Sequence, residues 1–392
     1  MLDCLHRLGY DVDVILITRQ PAVESRWTRR HRFHHVPVPG MPRVALNAAR
    51  AVLTRRRSLN ECLYQSPRVR RKVLSLVSRM GADVAVADSL RLADYAEATG
   101  LPYLVDLDDL LSERYAGLAR SGGDNSELLG FFGQAMPRWA LRPAGAAARA
   151  SLGWEAGACR RRELDIARSA PAVSLVSEIE ARRLSALSGS TVLTLPPGVA
   201  VTPAARRAAV RRDLVFLGGL DYQANVDALR WYLNHVVPYF GSDVLTVRVI
   251  GHCPPAVMEQ LRSPHLVFEG YVDDLQQALD GGAALIAPIV SGSGVKTKVL
   301  DAMACALPVV GTELAFSGLD VTDGVEVYVG RDAAHLADHV RTVLGSPAHA
   351  VEVGLRGQRY VAANFSLDVV RARWQQALST LIEGDRAGTP RA

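Results

Sequence analysis

The sequence predicts an α/β fold of parallel sheets covered by helices on both faces, on three observations. Strand-like and helix-like patterns alternate along almost the whole chain, as βαβ units require. At 392 residues the chain is too long for one ordinary core and suits two domains. Apolar residues make up 49% and charged residues 22%, the balance of a well-packed globular protein rather than a fibrous or disordered one.

Element by element, Met1 to Arg7 is helical in pattern, with Gly9 just past its end. Val12 to Ile17 is a strand, Arg68 to Met80 a helix, Val84 to Ala87 a strand and Leu92 to Ala98 a helix. Pro102 to Val105 is a strand running into Asp106, Asp108 and Asp109. Trp154 to Arg168 is helical, Ala172 to Val176 a strand, Glu178 to Leu187 a helix, and Val192 to Leu195 a strand stopped by Pro196, Pro197 and Gly198. Residues 199–212, with weak periodicity, Pro203 and four arginines, fit a linker between a first domain (1–198) and a second (213–364). The second opens with strand Leu214 to Leu217, then Gly218, Gly219, Asp221, Tyr222 and Asn225, and a helix near Val226 carrying Trp231 and Tyr232. Strands follow at Leu245 to Ile250 and Leu266 to Phe268, the latter leading to Gly270, Tyr271 and the acids Asp273 and Asp274, read as helix caps.

Pro288 to Thr312 (PIVSGSGVKTKVLDAMACALPVVGT) is the most informative stretch. Ser291, Gly292, Ser293 and Gly294 form a turn whose glycines let backbone amides approach an anion, and a helix opening near Val295 aims its unpaired N–H groups into the same space. Lys296 and Lys298 add positive charge. Asp301, seven residues past Gly294, returns to the same helix face about 10 Å further along, close to the span from a diphosphate to its ribose hydroxyls. The plainer alternative is a strand, a turn and a packing helix, for Val299, Leu300, Ala302, Met303 and Ala304 are all apolar.

With Leu307 to Thr312 as a buried strand behind it, this run resembles the donor-site signature of retaining family-4 glycosyltransferases (glycosyl transferases group 1). The resemblance implies the GT-B fold: two Rossmann-like doubly wound domains facing across a cleft, with a last helix, here Phe365 to Ile382 within residues 365–392, crossing back to the first domain. It implies that Asp301 contacts the ribose, although Glu is usual, and that Lys296 and Lys298 face the phosphates. The family's second motif acid, eight positions earlier, is replaced by Ser293. Gly218, Gly219, Tyr222 and Asn225 match a donor loop, with Asn225 as donor contact or as helix N-cap, and Gly270, Tyr271 and Val272 match the segment beside the base. Val295 completes the candidate donor set. Lys296 and Asp301 are the candidate catalytic residues, and Asp106 and Asp108 the candidate acceptor contacts. His6, His34 and His35 offer no convincing counterpart of the family's first-domain histidine, the last two falling in a basic loop.

In such a domain a strand and a glycine loop precede the first helix, and here Met1 to Arg7 is already helical. A misassigned start codon or a lost strand would account for it, the first being preferred because the second exposes two strand edges.

The expected activity is transfer of a sugar from a nucleotide-diphosphate sugar to an acceptor with retention, without a cofactor and without a required metal. The alternatives are a degenerate nucleotide-sugar-binding or partner subunit and a nucleotide-sugar epimerase. Five scattered cysteines, no apolar run near the roughly eighteen residues of a membrane span and no signal-peptide pattern lead to an expected cytoplasmic protein. Net charge is +5, concentrated between Arg19 and Lys72, where arginines face only Glu24 and Glu61. That density suits a peripheral contact at the inner membrane face or a phosphorylated acceptor. Nucleic acid is not an expected partner, since the segment has few aromatics and no reader module.

Overall fold

All strand pairings among the described residues are parallel. The computed structural model describes residues 1–21, 28, 30–54, 57–121, 138–201, 213–241, 245–292 and 294–388. By their internal contacts these separate into two units, residues 1–196 with 370–392, and residues 197–369.

The second unit is a six-stranded sheet of β7 (Leu214–Leu217), β8 (Val247–Ile250), β9 (Leu266–Gly270), β10 (Ala284–Ala287), β11 (Val309–Thr312) and β12 (Tyr328–Gly330), ordered β12-β11-β10-β7-β8-β9. This is the Rossmann order, and its topological switch lies between β7 and β10. The pleat sends Leu214 and Phe216 into one core and Val215 into another on the opposite face. Both faces are covered, so β8 and β10 are buried along their whole length; β10 reads as an apolar run, and β8 does so except at Arg248, whose guanidinium donates to the Ala278 carbonyl. Val199 hydrogen-bonds through its amide to the Phe365 carbonyl and packs into the second of these cores, so the expected linker is structured at its start. Residues 202–212 lie outside the described residues.

The first unit holds a pair, β1 (Asp13–Thr18) with β2 (Arg32–Pro37), and a four-stranded sheet ordered β3 (Ala85–Asp88), β4 (Tyr103–Asp106), β5 (Ala172–Leu175) and β6 (Leu193–Thr194). The strand β2 corrects the reading of His34 and His35 as loop residues. Its polar side chains are matched along the strand pair, Arg32 by Asp11 (2.7 Å) and Asp13 (2.9 Å), and His34 by Asp13 (2.9 Å). Helix Met41–Thr54 was hidden by the arginine-rich composition of its segment, helix Leu111–Ser121 was not anticipated, and the helix expected at Trp154 begins at Arg138 and runs to Ser169. Phe365 ends the helix Pro347–Phe365, and the last helix is Leu367–Gly388. Its Val370, Trp374, Ala377, Leu378 and Leu381 pack with Leu5, Leu104 and Leu195 of the first unit.

Candidate functional site

Three strand ends converge at the carboxyl edge of the second sheet. The Gly218 amide donates to the Ile250 carbonyl (2.9 Å), the Gly251 amide to the Gly270 carbonyl (2.8 Å), and the Leu220 amide to the His252 carbonyl (2.7 Å). Gly251 is at φ +139, and a Cβ there would lie 2.6 Å from the Gly218 backbone, so only glycine allows the β7 and β8 loops to meet. Beside Gly219, Asp221 and His252 pair at 2.6 Å and stay solvent-exposed. Sequence reasoning passed over His252, whose one signal was its place directly after a strand and a glycine.

Across the switch, β10 runs into the turn at 288–296. Gly292 (φ +105) and Gly294 (φ +70) adopt conformations that side chains resist, and a Cβ on Gly292 would meet only open space. Ser293 lies outside the described residues. The helix starts at Thr297, with Lys296 as its N-cap residue, two positions later than expected. Val295 therefore belongs to the turn, where it packs against the core, and Gly294 shares no helix face with Asp301. Asp301 is instead the fifth residue of that helix, and the spacing argument from Gly294 fails for want of helix between them. Burial alone raises the Asp301 pKa, and among the described residues its carboxylate has no hydrogen-bond or ion-pair partner.

The two lysines differ. The Lys296 ammonium turns back to the Gly294 carbonyl (2.7 Å). Lys298 reaches across the switch: its Nζ donates to Asn225 Oδ1 (2.7 Å) and sits 4.7 Å from the centre of the buried Phe216 ring. Burial, and then Lys296, lower its pKa to about 8. Asn225 is not a cap. The helix Gln223–Trp231 has Tyr222 at its N-cap, and the Asn225 amide group bonds the Gly219 carbonyl (2.8 Å) while its oxygen holds Lys298. A Cβ on Gly218 (φ +148) would stand 2.7 Å from Asn225 Nδ2. Tyr222 is 51% and Tyr271 80% exposed, and Gly270 is at φ +78. Ser291 is half-buried beside the turn. Asp274 caps the helix Leu275–Leu279 as expected, accepting from the Gln277 amide at 3.0 Å.

The acceptor candidates lie in the first unit. Asp106 ends β4 and accepts from the Ser174 hydroxyl (2.9 Å); burial is the main reason its pKa rises to about 6. Asp108 follows with a left-handed backbone (φ +65). Asp109 is occupied by Arg114 at 2.6 Å, and among the described residues these acids form no three-ligand group. The same unit has a cavity of about 770 Å³ whose lining includes Arg43, Arg50, Arg57, Arg70, Asp94 and Arg162. Part of that basic charge is already neutralised within the unit, because Arg57 and Arg162 both pair with Asp94.

Residues 211–346, about a third of the chain, match the model of the family described as Glycosyl transferases group 1. A Klebsiella pneumoniae protein described as an uncharacterized 44.6 kDa protein in the cps region is 24% identical over 164 residues, 39% of this chain. The match spans 42% of that relative, under half its length. Among solved structures, sucrose-phosphate synthase from Thermosynechococcus elongatus superposes with a TM-score of 0.63 at 16% identity, covering 97% of this chain and 91% of that one. The Anabaena protein HepE, in complex with UDP and glucose, gives 0.59 at 13%, covering 97% and 94%. At these identities the structures speak to the fold alone. The chain has the GT-B glycosyltransferase fold of two Rossmann-like units, and its matched segment supports glycosyl transfer from a nucleotide sugar.

Proposed function

We propose that this protein is a retaining glycosyltransferase of family 4 whose second unit binds a nucleotide-diphosphate sugar at the β7/β10 switch. The observation that carries the reading is the Lys298–Asn225 bond beside two left-handed glycines, because it places a buried cation and open backbone where doubly wound sheets bind phosphates. Loss of the nucleotide diphosphate during C–O cleavage builds charge on its oxygens. Amides of the 292–297 turn with Lys296 and Lys298 stabilise that charge, and Asp301 takes the ribose hydroxyls. Gly218, Gly219, Tyr222 and Asn225 line the phosphates and sugar, and Gly270 and Tyr271 the base. No metal step is needed, since ammonium groups and amides carry the leaving-group charge and the departing phosphate assists deprotonation of the acceptor.

The acceptor binds the first unit, with Asp106 and Asp108 as contacts for hydroxyls and the arginine-lined cavity suited to an anionic group. Helix Met41–Thr54 turns Met41, Leu46, Val52 and Leu53 outward, Leu53 at 83% exposure, with Arg43 and Arg50 alongside. That pattern suits peripheral contact with an anionic bilayer at the cytoplasmic face.

Uridine diphosphate, found with HepE, is the first ligand to test. Titration calorimetry with UDP and UDP-sugars is expected to show binding that weakens at least about tenfold, or about 1.4 kcal/mol, in Lys298→Ala and in Asp301→Ala. Unchanged affinity for a panel of nucleoside diphosphates in both variants would refute the site. Donor binding with no release of the nucleotide would favour the degenerate subunit. Interconversion of a nucleotide sugar without an acceptor would favour the epimerase, for which the Asp221–His252 pair offers the acid and base.

A further inference from the structure

Away from the nucleotide site, by the edge strand β12 of the second unit's sheet, Asp323, His335 and His339 bring one donor atom each within 4.8 Å of one another. Among the described residues no other three histidine, cysteine or acidic side chains do so. We propose that these residues bind a divalent transition-metal ion of the zinc type.

The local fold explains how they meet. His335 and His339 are four residues apart on the helix Ala333–Gly345, the spacing that puts two imidazoles on one face. Their ring centres are 4.3 Å apart, inclined by 36°. Asp332 fixes the start of this helix by accepting from the His335 amide at 2.8 Å. Asp323 comes from the loop before β12, and its Oδ1 is held by the Val329 amide at 2.8 Å. His339 Nε2 stands 3.3 Å from that oxygen and 3.2 Å from the Val329 carbonyl, against the Tyr328 ring.

Two ligands each about 2.1 Å from a tetrahedral ion lie about 3.4 Å apart, and the Asp323–His339 separation already matches that edge, with Nε2 exchanging its contact to the Val329 carbonyl for the ion. An ion pair between these two would account for their contact but would leave His335 idle beside them, with only a 3.5 Å approach from the Arg331 amide to its Nδ1. Two imidazoles and one carboxylate suit zinc and its neighbours, while magnesium and calcium prefer all-oxygen shells. Three protein ligands leave a fourth position for water. Bound there, the ion would fasten the loop at 319–327 to the helix behind β12.

The test titrates CoCl2 and ZnCl2 into the chelator-treated full chain, with MgCl2 as the contrasting ion. Expected are the visible bands of tetrahedral cobalt at one equivalent, their displacement by zinc, and a zinc-dependent rise in Tm that magnesium does not reproduce. His335→Gln changes a half-buried helix position and should weaken binding at least about tenfold; Asp323→Asn keeps an acceptor for Val329 and should do the same. Absence of cobalt bands, or equal binding in both variants, overturns the proposal. UDP affinity measured on the same metal-free samples should be unchanged, so failure here and failure of the nucleotide site read out separately.

Discussion

Lys298 is where residue chemistry bears hardest on function. Its folded pKa, about 8 against an ordinary 10.5, means that the fold disfavours the ammonium form. Between those values the unfolded chain binds more protons than the folded one, so stability rises with pH through that window and the penalty is fully present below about 8. The shift corresponds to a cost on the order of 3 kcal/mol at neutral pH, which Lys298→Met should recover as a higher Tm. At the proposed donor site a bound diphosphate would reverse the balance by giving the ammonium a counter-charge. At pH 8.5, UDP binding should therefore take up a fraction of a proton, seen as a buffer-dependent enthalpy, and affinity should fall as pH climbs above 8. Lys298→Gln should abolish both effects; buffer-independent enthalpy in the wild type would refute the assignment. Sequence alone identified the lysine, because glycines, lysines and helix start lie within one short run. It did not identify Asn225 as the lysine's holder, since the two residues are 73 apart and meet only once β7 and β10 pair.

Single elements show how the first unit holds its charges. The long helix Arg138–Ser169 presents Glu155, Arg162 and Glu163 to neighbouring segments. Glu155 accepts from the Leu59 and Asn60 amides (2.8 and 3.0 Å), capping the short helix Leu59–Cys62 from outside, and Glu163 accepts from the Ser112 amide (2.9 Å). Glu61 is fully buried, with Arg162 Nε at 3.0 Å and the Ser58 amide at 3.0 Å closing a capping box. Removing its charge leaves Arg162 with Asp94 as its remaining ionic partner, so Glu61→Gln should destabilise the first unit by about 1–3 kcal/mol. Urea unfolding should register this loss, and a change below about 1 kcal/mol would show that water already screens the network. None of it was legible beforehand. Glu61 looked like one of two acids in an arginine-rich segment, and Arg162 reaches it from an element about a hundred residues away.

For the whole molecule, the helix Leu367–Gly388 matters most, because it leaves the second unit's sequence and completes the first unit's core. Trp374 is 2% exposed, and Trp374→Ala should cost about 3–5 kcal/mol. That loss should appear as a lower melting transition for the first unit while UDP binding by the second is preserved; equal loss of both would mean that the units do not melt separately.

The sequence by itself determined the parallel α/β class, the second unit's strands from Leu214 to Phe268 and the glycine-lysine turn. Each is written in local periodicity or in a contiguous motif, where neighbouring residues carry the signal. Tertiary structure alone decided the pairing of β2 with β1, the Lys298–Asn225 contact, the Asp221–His252 pair and the meeting of Asp323 with His335 and His339. Those contacts depend on strand order and on long-range packing, which satisfies polar groups by partners that no window of sequence contains.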